Sequence, residues 1–181
     1  MIDPRRRSFL RGRMAEAAAP QAPAVQRPPW ALAEARFAEQ CTRCHACVTA
    51  CPRGVLAVGD GGFPAVDFSA QGCDFCGACD TACAPRALNR AAAEAAHGPD
   101  ALRAAWPGWQ VRIAPHCLAL QKVECRTCGD ACDARAIRFR PALGGIAQMQ
   151  LDPQACTACG ECVAVCPVGA AAMVPRSVAS S

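Results

Sequence analysis

One cysteine spacing, C-x2-C-x2-C-x3-C, occurs three times in this chain of 181 residues and limits what the chain can fold into. The three regular sets are Cys41, Cys44, Cys47 and Cys51; Cys73, Cys76, Cys79 and Cys83; and Cys156, Cys159, Cys162 and Cys166. A loop this short points three thiols at one small centre, and a proline directly or one residue after the fourth cysteine directs the chain elsewhere. Such a run is typical of loops that hold a 4Fe-4S cluster.

The remaining cysteines form a widened set, Cys117, Cys125, Cys128 and Cys132. Its first gap has seven residues, and Asp133 stands where the regular sets have proline or alanine. The C-x2-C-x3-C part is intact, and all 16 cysteines fall into four sets of four. We therefore predict a fourth 4Fe-4S cluster beside the three of the regular sets. The alternative is a decayed site with unused thiols.

Disulfides and zinc explain the spacing less well. Disulfides would have to join cysteines two residues apart, or divide every close trio among distant partners. Tetrahedral zinc sites use two ligand pairs separated by a longer loop. Large hydrophobic residues are also scarce, since the chain has 6 Phe, 3 Trp and no Tyr. The clusters are therefore expected to fill the interior, and the chain without iron is expected not to hold a stable fold.

The chain contains an internal repeat. Gly62 precedes Cys73 by 11 residues, and Gly145 precedes Cys156 by the same 11. Between the cysteine sets of each half, the sequence predicts a strand, a glycine turn and a strand, over 55–58 and 63–68 and over 137–140 and 146–151. Each half thus has the plan of a two-cluster bacterial ferredoxin. The predicted fold is a small α+β protein of two tandem ferredoxin-like modules, built from short hairpins and short helices.

In a two-cluster ferredoxin, the fourth cysteine of each set completes the neighbouring cluster. Cys83 is then predicted to complete the cluster of the first regular set, and Cys51 the cluster of the second. In the second half, Cys166 is predicted to complete the cluster of the widened set and Cys132 that of the last regular set. Short helical turns after Cys51 and Cys166 are expected to pack Val55, Leu56, Val168 and Ala171 over the clusters, and a helix is expected over 30–40. The predicted domains are a flexible basic arm (1–29), the first module (30–88), a linker (89–115) that ends in a strand over 110–113, the second module (116–175) and a tail (176–181).

The first residues raise the question of export. Arg5, Arg6, Arg7, Arg11 and Arg13 lie within nine residues and resemble the arginines of a twin-arginine signal. The apolar stretch that such a signal needs does not follow them, so we favour a cytoplasmic protein with a flexible basic arm; export is the alternative. The arm either binds a partner, which is our hypothesis, or is simply solvated. The formal charge of +4 counts every cysteine as neutral. Four thiolate-bound clusters would bring the charge to about −4, so the basic balance does not predict nucleic-acid binding, and no run predicts a membrane span.

The sequence has no nucleophile paired with a base and no glycine-rich nucleotide loop. We therefore do not predict an enzyme. Several stretches resemble the NapF family, the ferredoxin-type accessory proteins of periplasmic nitrate reductase systems: "RPPW", "CTRCHAC", "GGFPAVDF", "CDFCGAC", "CLALQKVECRTCGDAC", "IRFRP" and "CTACGECVAVCPVGA". The resemblance covers nearly the whole chain, and the widened set is its most specific part. It implies a cytoplasmic protein that binds the catalytic subunit of the reductase before export and assists installation of its 4Fe-4S cluster. The alternatives are an electron carrier of the polyferredoxin type and a purely structural cluster protein.

Overall fold

Short helices and two-stranded ribbons follow one another along the chain, in a computed structural model that describes residues 25–98, 100–142 and 145–176. The helices are α1 (Glu34–Gln40), α2 (Ala46–Thr49), α3 (Ala78–Thr81), α4 (Arg90–His97), α5 (Ala101–Ala105), α6 (Thr127–Asp130) and α7 (Glu161–Ala164). The strands are β1 (Leu56–Val58), β2 (Pro64–Val66), β3 (Trp109–Ile113), β4 (Ile137–Arg140), β5 (Gln148–Leu151) and β6 (Ala171–Pro175). The pairs β1–β2, β4–β5 and β3–β6 are all antiparallel.

Each half contains the predicted hairpin between its cysteine sets. In the first half, β1 and β2 pair from Leu56 opposite Val66, and the turn passes through Gly61 and Gly62, whose φ angles of 63° and 77° favour glycine. In the second half, β4 and β5 pair over four residues on each strand. β4 has the predicted bounds, whereas β1, β2 and β5 are shorter than the sequence predicts. Part of the predicted second turn, Gly144, lies outside the described residues.

The helical turns lie elsewhere than predicted. Each of α2, α3, α6 and α7 contains the third cysteine of its set and ends before the fourth, whereas helical turns after Cys51 and Cys166 were expected. That expectation is wrong: Cys51 begins a turn that leads into β1. Val55, Leu56 and Ala171 are buried as expected, but Val168 is 41 % exposed. The predicted helix over 30–40 is present only from Glu34, as α1, with Phe37 as its buried residue.

Residues on both sides of the first module pack against it. Residues 26–29, which the sequence analysis assigned to the arm, are tied to the hairpin because Val66 donates its N–H to the carbonyl of Gln26 at 2.9 Å. The indole N–H of Trp106 donates to the carbonyl of Arg27 at 2.8 Å. Trp106 comes from the stretch expected to be a linker, whose last part, β3, instead pairs with β6 of the second half. The stretch between the modules is thus divided between them.

Candidate metal centres

Fourth cysteines lie beside the neighbouring cysteine set, in the exchanged arrangement of a two-cluster ferredoxin. Three cavities show this, each lined by four cysteines and each about 300 to 320 Å³ including space open to solvent. Site one has Cys41, Cys44, Cys47 and Cys83; site two has Cys51, Cys73, Cys76 and Cys79; site four has Cys132, Cys156, Cys159 and Cys162. The structure therefore brings together the cysteines that the sequence analysis grouped, and their role as ligands stays a prediction.

Site three consists of Cys117, Cys125, Cys128 and Cys166. Burial raises the pKa of Cys128 to about 11, and the nearby thiols of Cys117, Cys125 and Cys166 raise it further in that direction. Cys166 therefore reaches the widened set from the last regular set. Cys117 is buried, whereas Cys125 and Cys128 are half-buried.

The loops of the three regular sets share an unusual backbone. Four residues before the third cysteine stand Arg43, Phe75 and Ala158, with φ of 57°, 59° and 58°. Two residues before it stand His45, Gly77 and Gly160, with φ of 61°, 82° and 82°. Left-handed residues reverse the chain sharply, and two of them in each loop turn the first three cysteines toward one centre. The corresponding residues of the widened set, Glu124 and Arg126, are not left-handed.

Every fourth cysteine begins the same tight turn. The residue three positions later donates its N–H to the cysteine carbonyl, at 3.1 Å for Gly54, 3.1 Å for Arg86, 2.8 Å for Arg135 and 3.2 Å for Gly169. All four donors are left-handed, with φ between 50° and 61°. The turn therefore occurs in all four sets, including the widened set, where Arg135 donates to Cys132. The departure of the widened set is thus confined to the part that comes before its third cysteine.

The donor chemistry fits an iron–sulfur centre. Burial raises the pKa of Cys73 and of Cys79 to about 12 and that of Cys47 to about 11, and neighbouring thiols add to each. Burial also raises the pKa of Cys162, with Cys159 and Cys156 contributing. Clustered thiols of this kind lose their protons when their sulfurs bind a positively charged centre, and soft thiolate ligands suit iron–sulfur clusters. Within the described residues, no group of three or more His, Cys, Asp or Glu side chains has the arrangement that would hold a single metal ion.

Backbone N–H groups point at several of the sulfurs. Ala170 donates to Sγ of Cys166 at 3.1 Å, Leu88 to Sγ of Cys83 at 3.4 Å, and Phe75 to Sγ of Cys73 at 3.4 Å. Such hydrogen bonds stabilise negative charge on sulfur and raise the reduction potential of a cluster. His45, which lines the cavity of site one, donates from Nε2 to the carbonyl of Gly62 at 2.9 Å and so ties its cysteine loop to the hairpin turn.

Comparison with known proteins decides the family. A family model described as "4Fe-4S dicluster domain" matches residues 40–87 and again 123–170. The ferredoxin-type protein NapF of Escherichia coli strain K12 is 45 % identical over 169 residues, which cover 93 % of each chain. This chain belongs to the NapF family. NapF of Haemophilus influenzae is 38 % identical over 93 % of this chain, and the methylamine utilization ferredoxin-type protein MauM of Methylobacillus flagellatus is 32 % identical over 94 %.

Membership of the NapF family and the two dicluster matches confirm the predicted tandem ferredoxin-like fold and an iron–sulfur protein with 4Fe-4S clusters. The arm residues Arg5, Arg6, Arg7, Arg11 and Arg13 lie outside the described residues. No helix among the described residues is both long and apolar enough to span a membrane. The sequence analysis missed the left-handed residues of the cysteine loops, because only some of them are glycine. It also missed a contact between the two halves through Gly72 and Glu161.

Proposed function

We propose that this protein is a cytoplasmic accessory protein that binds the catalytic subunit of a periplasmic nitrate reductase before export and assists the installation of its 4Fe-4S cluster. The observation that carries this proposal is the similarity to NapF over 93 % of the chain, which includes the widened set. The absence of an apolar stretch after the arginines supports the cytoplasmic assignment.

Site three is the proposed source of the donated cluster. Its widened loop exposes Leu120 by 48 % and Val123 by 50 %, and both residues lie between Cys117 and Cys125. This loop offers a partner an apolar contact surface directly beside Cys117 and Cys125. The regular sites one, two and four are proposed to keep their clusters, so the chain is expected to bind four clusters in all.

The arginine arm is proposed to contribute to docking. Five arginines within nine residues attract an acidic surface, and this attraction weakens as salt is added. A chain without residues 1–14 is expected to bind the precursor less tightly at physiological salt than the full chain does. Equal binding of the two chains would remove the arm from the proposal and leave the rest of it intact.

An anaerobic pull-down tests the proposal. The full chain, loaded with iron, is mixed with the unexported catalytic subunit without its cluster, and iron is counted on both proteins. Co-purification and a gain of about four irons by the catalytic subunit are expected. The same subunit with its cluster already in place is the control, and it should gain none. Absence of binding, with all iron retained on this chain, would contradict the proposal and favour an electron carrier.

A further inference from the structure

The cysteine loops of sites two and four touch across the boundary between the halves. The N–H of Cys73, from site two, donates to the carbonyl of Cys159, from site four, at 2.8 Å. Both residues lie inside their cysteine loops, so the halves meet at their candidate metal centres and not only at peripheral strands.

Three residues close this contact with charge-assisted hydrogen bonds. Oε2 of Glu161, in the second half, accepts from the N–H of Gly72 at 2.9 Å and pairs with Nη2 of Arg53 at 3.1 Å. Arg53, in the first half, also donates from Nε to the carbonyl of Gly72 at 3.0 Å. Gly72 is thus bonded at both its N–H and its carbonyl, directly before Cys73. Bonds to a charged partner are stronger than neutral ones, which favours a fixed geometry.

Close packing leaves no space in the contact. A Cβ added to Gly72 would lie 2.5 Å from the backbone nitrogen of Glu161, although the φ of Gly72 is not in the left-handed region. A Cβ on Gly160 would overlap the ring of Phe68. The rings of Phe68 and Trp106 meet edge to face, with 5.9 Å between their centroids. Gly72 is therefore required by proximity alone, and the halves form one packed unit at this point.

The four sites consequently adjoin in a definite order. In the first half, α2, which contains Cys47 of site one, packs against α3, which contains Cys79 of site two. In the second half, α6, which contains Cys128 of site three, packs against α7, which contains Cys162 of site four. The backbone hydrogen bond between Cys73 and Cys159 joins site two to site four. The sites therefore follow one another in the order one, two, four, three.

We propose that Arg53, Gly72 and Glu161 are positioning residues that hold sites two and four together and thereby make the two halves one electron-conducting unit. Sites two and four would hold their clusters on the cysteines that line their cavities. With clusters bound there, one electron from a low-potential one-electron donor would move between the halves, with no bond formed or broken and no proton moved. This inference does not depend on the maturation proposal, because it concerns only contacts within the chain.

Electron paramagnetic resonance of the full chain tests the inference. The chain is loaded with iron and sulfide without oxygen, reduced with dithionite and measured at low temperature. Coupling between reduced clusters of different halves broadens the spectrum beyond the coupling within each half. Gly72→Ala is expected to lose this additional broadening at unchanged iron content, which leaves the sum of two separate two-cluster spectra. Gly108→Ala is the matched control, because its Cβ would meet no atom within 4 Å, and it should keep the wild-type spectrum.

A second pair of variants removes charge and keeps size. Glu161→Gln is expected to lose part of the additional broadening. Glu94→Gln, which breaks an ion pair with Arg90 of similar exposure, should lose none. Hydrogen exchange of the peptide that contains Cys73 reports whether the contact between the halves has opened. If Gly72→Ala loses iron, the spectrum and the hydrogen exchange of Glu161→Gln decide instead. Faster exchange with an unchanged spectrum overturns the inference, and so does the absence of any change in both measurements.

Discussion

In the regular loops, left-handed residues stand four and two positions before the third cysteine, whereas the widened loop has Glu124 and Arg126 there in other conformations. An ion pair of 2.7 Å joins these two side chains. The widened loop instead turns at Lys122, whose φ of 60° is also left-handed and which lies among the inserted residues. A left-handed residue other than glycine costs about 1–2 kcal/mol in either kind of loop. The difference teaches that the regular loops reverse close to their third cysteine, whereas the widened loop reverses within its insertion, away from its candidate ligands.

The inserted residues of the widened loop fold on themselves. Gln121 donates its N–H to the carbonyl of Cys117 at 2.9 Å, and Val123 donates to that of Leu118 at 2.9 Å. These turns need no metal and leave apolar side chains facing solvent. A loop with local hydrogen bonds of its own can open and close around a cluster without loss of the surrounding fold.

Removal of all iron gives the largest expected effect. An excess of chelator should release iron in two phases: about a quarter quickly, from site three, and the rest slowly, together with loss of the fold. The rapid phase is expected because the widened loop is exposed and locally stable. Iron release and circular dichroism are recorded on one sample. Release in a single phase, in step with unfolding, would remove the distinction between the two kinds of loop.

Serine substitutions compare equivalent cysteines of the two kinds of loop. Cys117→Ser should lower the iron content from about sixteen to about twelve and leave the other sites loaded. Cys156→Ser should cost at least as much iron and also destabilise the second half, because the cavity of site four is lined by core residues such as Val111 and Ile137. Iron and sulfide analysis with thermal unfolding measures both. A wild-type content near twelve would show that site three holds no cluster.

Alanine at two glycines sharpens the comparison further. Gly160→Ala combines a left-handed φ of 82° with overlap against Phe68, and should lower the free energy of unfolding by about 2–4 kcal/mol. Gly129→Ala, in α6 of the widened set, should cost only about 1 kcal/mol, since its Cβ would press on the half-buried ring of Phe139 in an ordinary helical conformation. Denaturant midpoints of the iron-loaded proteins test this order, which equal costs would contradict.

The smallest expected effect concerns the ion pair of the widened loop. Glu124→Gln removes the partner of Arg126, and both side chains are about half exposed. Exposed pairs contribute about 0.2–1 kcal/mol, so the unfolding free energy should fall by no more than that, with a smaller difference at high salt. The rapid phase of iron release should become faster, since the pair closes the loop beside Cys125. An unchanged rate would show that the turns alone hold this loop.

Cysteine spacing predicted the fold and the grouping of the candidate ligands, because the geometry of a cubane restricts which loops can surround it. The hairpins were also predictable, since turn glycines and alternating residues mark them. The helical turns were misplaced because four-residue helices leave too short a periodic pattern to read. The contact between halves joins Arg53 to Glu161 across 108 residues, and no local pattern reports such a distant pair.

The pairing of β3 with β6 bears on how the protein is made. The N-terminal residues of the first half can be fixed as soon as Trp106 has been synthesised, since Ala105 and Trp106 hydrogen-bond Trp30 and Arg27. The second half begins with β3, whose partner strand is β6. The edge of β3 therefore stays unpaired until about sixty more residues have left the ribosome. During synthesis the first two sites can therefore receive their clusters while site four still awaits its last cysteine, Cys162, and site three awaits Cys166.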